Sequence, residues 1–140
     1  METIKTKDES VIEYLEPLIE RFIIENEIDE YSKDNYINLL NNVIKDHGCG
    51  VFISYDKEAI HGYAIALQML AIEFPFISVS QFFGETEEIE LALLNEIKEW
   101  AKKNKIYKLS YMTAKPKRFK KMGFVIKRHT MEMNLDDIGG

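Results

Sequence analysis

Apolar residues along this chain repeat with two different spacings, one near 3.6 and one near 2 or in short unbroken runs, and the switches between them mark the elements. Thr3 to Thr6 predicts a short edge strand, and Thr6-Lys7-Asp8-Glu9 has the spacing of a capping box at a helix start. Val11, Leu15, Leu18 and Phe22, with Ile12, Ile19 and Ile23 beside them, keep the helical period. Pro17 falls inside this helix and predicts a kink or a split, because its ring removes the bond to the Glu13 carbonyl. Ser32 is the expected N-cap of a second helix, whose stripe is Tyr36, Ile37, Leu40, Val43 and Ile44 and whose end is placed at Gly48.

From Gly50 the pattern becomes that of strands. Val51 to Tyr55 predicts one, Asp56-Lys57-Glu58 a turn, Ala59 to Ile72 a second strand and Phe76 to Phe82 a third, together an antiparallel meander. After Gly84 the helical period returns on Ile89, Leu93, Ile97 and Trp100, ending near Asn104, and Ile106 to Met112 predicts another strand. Strand, helix, strand in this order is a right-handed crossover joining parallel neighbours. Pro116 opens a short helix, Lys117 to Met122, capped by Gly123; Phe124 to Lys127 and Thr130 to Leu135 complete a final hairpin.

A length of 140 residues suits one domain, 1–140, with one core, and 46% hydrophobic and 30% charged residues argue against disorder. No stretch has the uninterrupted apolar length of a membrane span, and METIKTKDES lacks the apolar core of a signal peptide, so the expected location is cytoplasmic and no membrane partner is expected. The one cysteine, Cys49, reads as a half-buried strand residue. His47, His61 and His129 have no metal-ligand spacing, so each reads as structural and no metal is expected. Charge is divided unevenly. Residues 1–100 carry 7 Lys and Arg against 21 Asp and Glu, whereas residues 101–140 carry 11 against 3, within a net charge of −6. Such asymmetry marks either an interaction surface or two halves that neutralise each other across the fold.

The order of elements, with the segment from Glu90 to Ser110 and Arg118-Phe-Lys-Lys-Met-Gly-Phe124, resembles the GNAT acetyltransferase superfamily. The resemblance implies an α/β (α+β) fold with a mixed, mostly antiparallel sheet, a βαβ crossover and helices on both faces. It also locates the family's coenzyme motif, Gln or Arg, two spacers, Gly, one spacer, Gly or Ala, just before the crossover helix. There the glycines let backbone N–H groups approach the acyl-CoA pyrophosphate. The positions that align with it here are Glu85, Glu88 and Glu90, which together with Glu87 bring carboxylates to the expected diphosphate position. Phe119 stands where many GNAT enzymes carry a Tyr as general acid, and a phenyl ring has no proton to donate.

These departures lead to the expectation of a non-catalytic GNAT-fold binding or structural module with no cofactor. Ser80-Gln81-Phe82-Phe83-Gly84, Trp100-Ala101, Met112-Thr113 through Phe119, and Gly123-Phe124 resemble GNAT-like proteins of tailed phages, which implies a virion-associated role, a protein partner or self-assembly. The alternative is an acetyl-CoA-dependent N-acetyltransferase with an atypical loop. Glu73 and Tyr111 then lie where GNAT enzymes often place a base or a substrate-contacting residue. Lys115, Lys117, Arg118, Lys120 and Lys121 form a basic cluster, with Lys102, Lys103, Lys105 and Lys108 near in sequence. They read either as a solvated face or as a patch for an acidic partner, a coenzyme phosphate or, in a third reading, nucleic acid. Met69, Leu70, Ile72, Phe74, Phe76, Phe82 and Phe83 are expected to be mostly core.

Overall fold

A computed structural model describes residues 1–28, 32–70, 74–113 and 116–125. The predicted meander is present, its first and third strands longer than the pattern suggests and its second starting one residue later, at Ile60. Strand β1 (Glu2–Thr6) lies at one edge and pairs antiparallel with β2 (Cys49–Tyr55), which pairs with β3 (Ile60–Leu70), which pairs with β4 (Pro75–Gly84). Helix α3 (Glu87–Lys103) crosses over to β5 (Leu109–Tyr111), which lies parallel to β4, so the sheet runs in chain order β1-β2-β3-β4-β5.

Helices cover both faces. On one, α1 (Ile12–Glu25) and α2 (Lys33–Val43) bury Leu15, Ile19, Phe22 and Leu40 against Val51, Tyr63 and Ile65. On the other, α3 buries Leu93, Leu94 and Ile97 against Phe52, Ala64 and Ile77, with Phe119 of the short helix α4 (Pro116–Lys120) at its end. The alternation of β2 explains the division: Val51 and Ile53 face one layer and Phe52 the other.

Several expectations are corrected. The cap of the first helix is Asp8, two residues later than the capping box; its Oδ1 accepts from Ser10 N at 3.0 Å and leads into a 3₁₀ turn, Glu9–Val11. Pro17 does not split α1, which runs on from Ile12 to Glu25 with Pro17 and Glu13 both on its exposed face. Ser32 precedes α2 without a side-chain cap bond, and α2 ends at Val43, five residues before Gly48. β5 is shorter than predicted. Met69 and Leu70 are not core; Leu70 is 92% exposed at the end of β3. Gly123, at φ +99°, does close the turn after α4. Glu73, Ile72, Lys115, His129 and all of the final hairpin after Val125 lie outside the described residues.

Candidate functional site

The candidate site forms where β4 and β5 part. They are paired only from Ile77 with Leu109 to Val79 with Tyr111. On the other side of β4, Ile65 pairs with Gln81 and the next residue, Ala66, with Val79, so Ser80 is an extra residue and the strand bulges. A bulge bends and twists its strand. Here it leads the last residues of β4 toward the N-terminus of α3, while β5 ends at Tyr111. A small crevice follows, walled by Phe82, Phe83 and Gly84 of β4, Glu90 of α3, Tyr111 and Thr113, Arg118 and Phe119 of α4, and Glu25 and Asn26 at the end of α1.

Gly84 is required at this junction. A Cβ there would lie 2.9 Å from both the Cγ and the backbone N of Glu90, so only glycine lets β4 approach the first turn of α3 so closely. Thr86 caps that helix, accepting from Ile89 N at 3.3 Å. Its acidic residues diverge. Glu87 and Glu88 point to solvent, Glu85 lies beside Arg21 and His61, and Glu90 turns inward, 1% exposed. The picture of four carboxylates converging on one place is therefore corrected. The helix period separates them, and Glu90 is the one that enters the crevice.

Arg118 meets it there. The guanidinium forms ion pairs with Glu90 and with Glu25, joining α4, α3 and α1. The contact with Glu90 Oε1 lacks hydrogen-bond alignment, and Glu90 Oε2 has no partner among the described residues. Arg118 is thus withdrawn from the predicted basic patch, because the only place where its charge offsets a buried carboxylate is inside. Lys117 and Lys120 on α4 and Lys121 just after it remain exposed, without a carboxylate partner among the described residues. Lys102, Lys103, Lys105 and Lys108 lie toward the opposite end of α3, about 25 Å away for a helix of seventeen residues. The lysines that are neighbours in sequence thus make two separate basic areas.

Phe119 is core, edge-on to Phe82, Tyr111 and Phe124. Tyr111 lines the crevice. Burial holds its phenol well above the ordinary tyrosine range, and its hydroxyl, beside Thr113 and Asn26, completes no hydrogen bond of good geometry. The Thr113 hydroxyl donates to Asn26 Oδ1 at 3.2 Å. Behind the crevice Tyr63 donates to Gln81 at 2.7 Å, both side chains fully buried. The sequence pattern did not single out Glu25, Asn26 or the Tyr63–Gln81 pair as site residues. The only local signal was polar Gln81 within an apolar strand.

A mixed sheet with a bulged β4 diverging from parallel β5 at the N-terminus of the crossover helix is the GNAT fold. Solved structures share it over almost the whole chain. A predicted acetyltransferase from Clostridium acetobutylicum with acetyl-CoA is similar at 18% identity and a TM-score of 0.80, covering 97% of each chain. The aminoglycoside antibiotic 6'-N-acetyltransferase of Acinetobacter haemolyticus is similar at 9% identity and 0.78, covering 96% of this chain and 97% of that one. An acetyltransferase of Trypanosoma brucei is similar at 12% and 0.70, covering 95% and 98%. No family model matches the sequence, and no curated protein matches it.

The residues present do not fit the acyl-CoA diphosphate that this fold implies. The close backbone approach at the start of α3 is taken by Glu90, whose buried carboxylate would face the phosphates. At about 6 Å and an effective dielectric of ~20, each such pair of like charges costs roughly 3 kcal/mol. Arg118 offsets part of this, yet it already serves two carboxylates, leaving Glu25, Arg118 and Glu90 with a net charge of −1.

Proposed function

We infer that the chain is a GNAT-fold binding module that does not transfer acyl groups from coenzyme A. The observation that carries this reading is the Glu25–Arg118–Glu90 bridge, which lines the crevice with two carboxylates against one guanidinium, a net charge of −1 where a diphosphate needs cations. The loss of a proton donor at Phe119, which packs as a core residue, supports it. Exposed Lys117, Lys120 and Lys121 then form the contact face for an acidic protein partner. An assembly such as a phage particle is the setting proposed for it, on the sequence resemblance alone. Calorimetric titration with acetyl-CoA tests the reading: no binding is expected at submillimolar coenzyme, and micromolar affinity overturns it.

A second reading is an N-acetyltransferase, favoured by the fold likeness to a structure that contains acetyl-CoA. In that reading Arg118 leaves its carboxylates to hold a phosphate, and Arg118→Ala abolishes both coenzyme binding and acetyl transfer. The two basic areas at opposite ends of α3 do not form the continuous stripe that would favour nucleic acid over an acidic protein.

A further inference from the structure

His61, at the start of β3, lies between two carboxylates that belong to different turns. Its Nε2 is 2.8 Å from Asp56 Oδ2 in the β2–β3 turn, and its Nδ1 is 3.3 Å from Glu85 Oε2 in the β4–α3 turn. Beyond Glu85 stands Arg21 of α1, 3.8 Å from Oε1. The two turns are further joined through the backbone, since Glu85 N donates to the His61 carbonyl at 3.1 Å.

An imidazolium has two N–H groups and can donate to both carboxylates at once. A neutral imidazole has one N–H and one lone pair, so one carboxylate is left facing a lone pair. Asp56 is the better anchored of the two, because its other oxygen accepts from Glu58 N and Ala59 N at 2.9 and 3.0 Å. Glu85, at the longer contact, is the one that lets go. Its turn joins Gly84 to the first turn of α3, and Gly84 and Glu90 both line the crevice.

We propose that His61 is a proton-controlled pin on the turn into α3: protonated, it ties Asp56 to Glu85 and so holds the β2–β3 turn to the β4–α3 turn, and its deprotonation releases Glu85. Although partial desolvation pulls the imidazole pKa down, the hydrogen bonds to Glu85 and Asp56 outweigh it and raise the net value above 6.5. The pin therefore releases above pH 6.5.

Nuclear magnetic resonance of the full chain tests this by following the His61 ring and the exchange protection of the Glu85 amide between pH 6 and pH 8. Protection is expected to fall about two- to fivefold, the worth of one exposed ion pair, in step with a ring midpoint above 6.5. The fall is absent in His61→Gln. In Glu85→Gln, which decides the matter should the first variant fold poorly, the His61 midpoint moves down. A midpoint at or below 6.5, an unchanged fall in His61→Gln, or an unmoved midpoint in Glu85→Gln overturns the proposal.

Discussion

A carboxylate that is 1% exposed must have its charge answered, and for Glu90 the answer comes from one guanidinium. Removing that partner leaves a buried charge uncompensated. Arg118→Ala is expected to lower stability by roughly 2–3 kcal/mol, below the full cost for a buried pair because the arginine is itself partly exposed. Adding Glu90→Gln to that variant should recover part of the loss. Urea denaturation of the single and double variants checks both statements, and additive losses would show that the pair is not coupled. Replacing Glu90 by Gln alone is milder, since a neutral amide tolerates burial better than an unpaired carboxylate.

At the level of elements, α1 tests the effect of a proline. Pro17 was read as a kink or split because of the bond it removes, and α1 nonetheless continues from Ile12 to Glu25. The lost bond remains a cost, so Pro17→Ala is expected to stabilise the protein by about 1–2 kcal/mol. The gain in helix propensity is reduced by the greater freedom of the unfolded chain. A change in midpoint of thermal unfolding measures it; no gain would mean that the backbone had adapted fully to the ring. The crossover helix was read correctly because its stripe of Ile89, Leu93 and Ile97 is regular; its cap, Thr86, came from the structure. Legibility ended at the residues between elements. The helical period already sets Glu88 and Glu90 on different faces, yet nothing in the pattern indicated that Glu85 would join His61 and Arg21 or that Glu90 would meet Arg118.

For the molecule as a whole, two groups set a window of pH. The folded pKa of Asp56 is lowered, chiefly by backbone hydrogen bonds from Glu58 and Ala59, so its contribution is present above 3.8 and is lost as pH falls through the folded value. The folded pKa of His61 is raised, so its contribution is present below 6.5 and is lost as pH rises through the folded value. Stability attributable to these two groups should therefore be greatest between about pH 4 and pH 6.5. Unfolding midpoints measured within that range and on both sides of it, compared with those of His61→Gln, check the prediction: the decline above pH 6.5 should be smaller in the variant.

The meander, the crossover and the two helices before them were readable because each depends on local spacing, the 3.6 and 2 periods of side chains along one segment. The GNAT order followed from those segments placed in sequence. The crevice followed from none of them. Arg118 reaches Glu25 across 93 positions of chain, and which way a lysine or arginine of a basic run points depends on where a carboxylate has been buried by packing elsewhere. Spacing along the chain fixes which face a side chain occupies on its own element; only the packing of α1, α3 and α4 around the parted strands puts those three charges in contact.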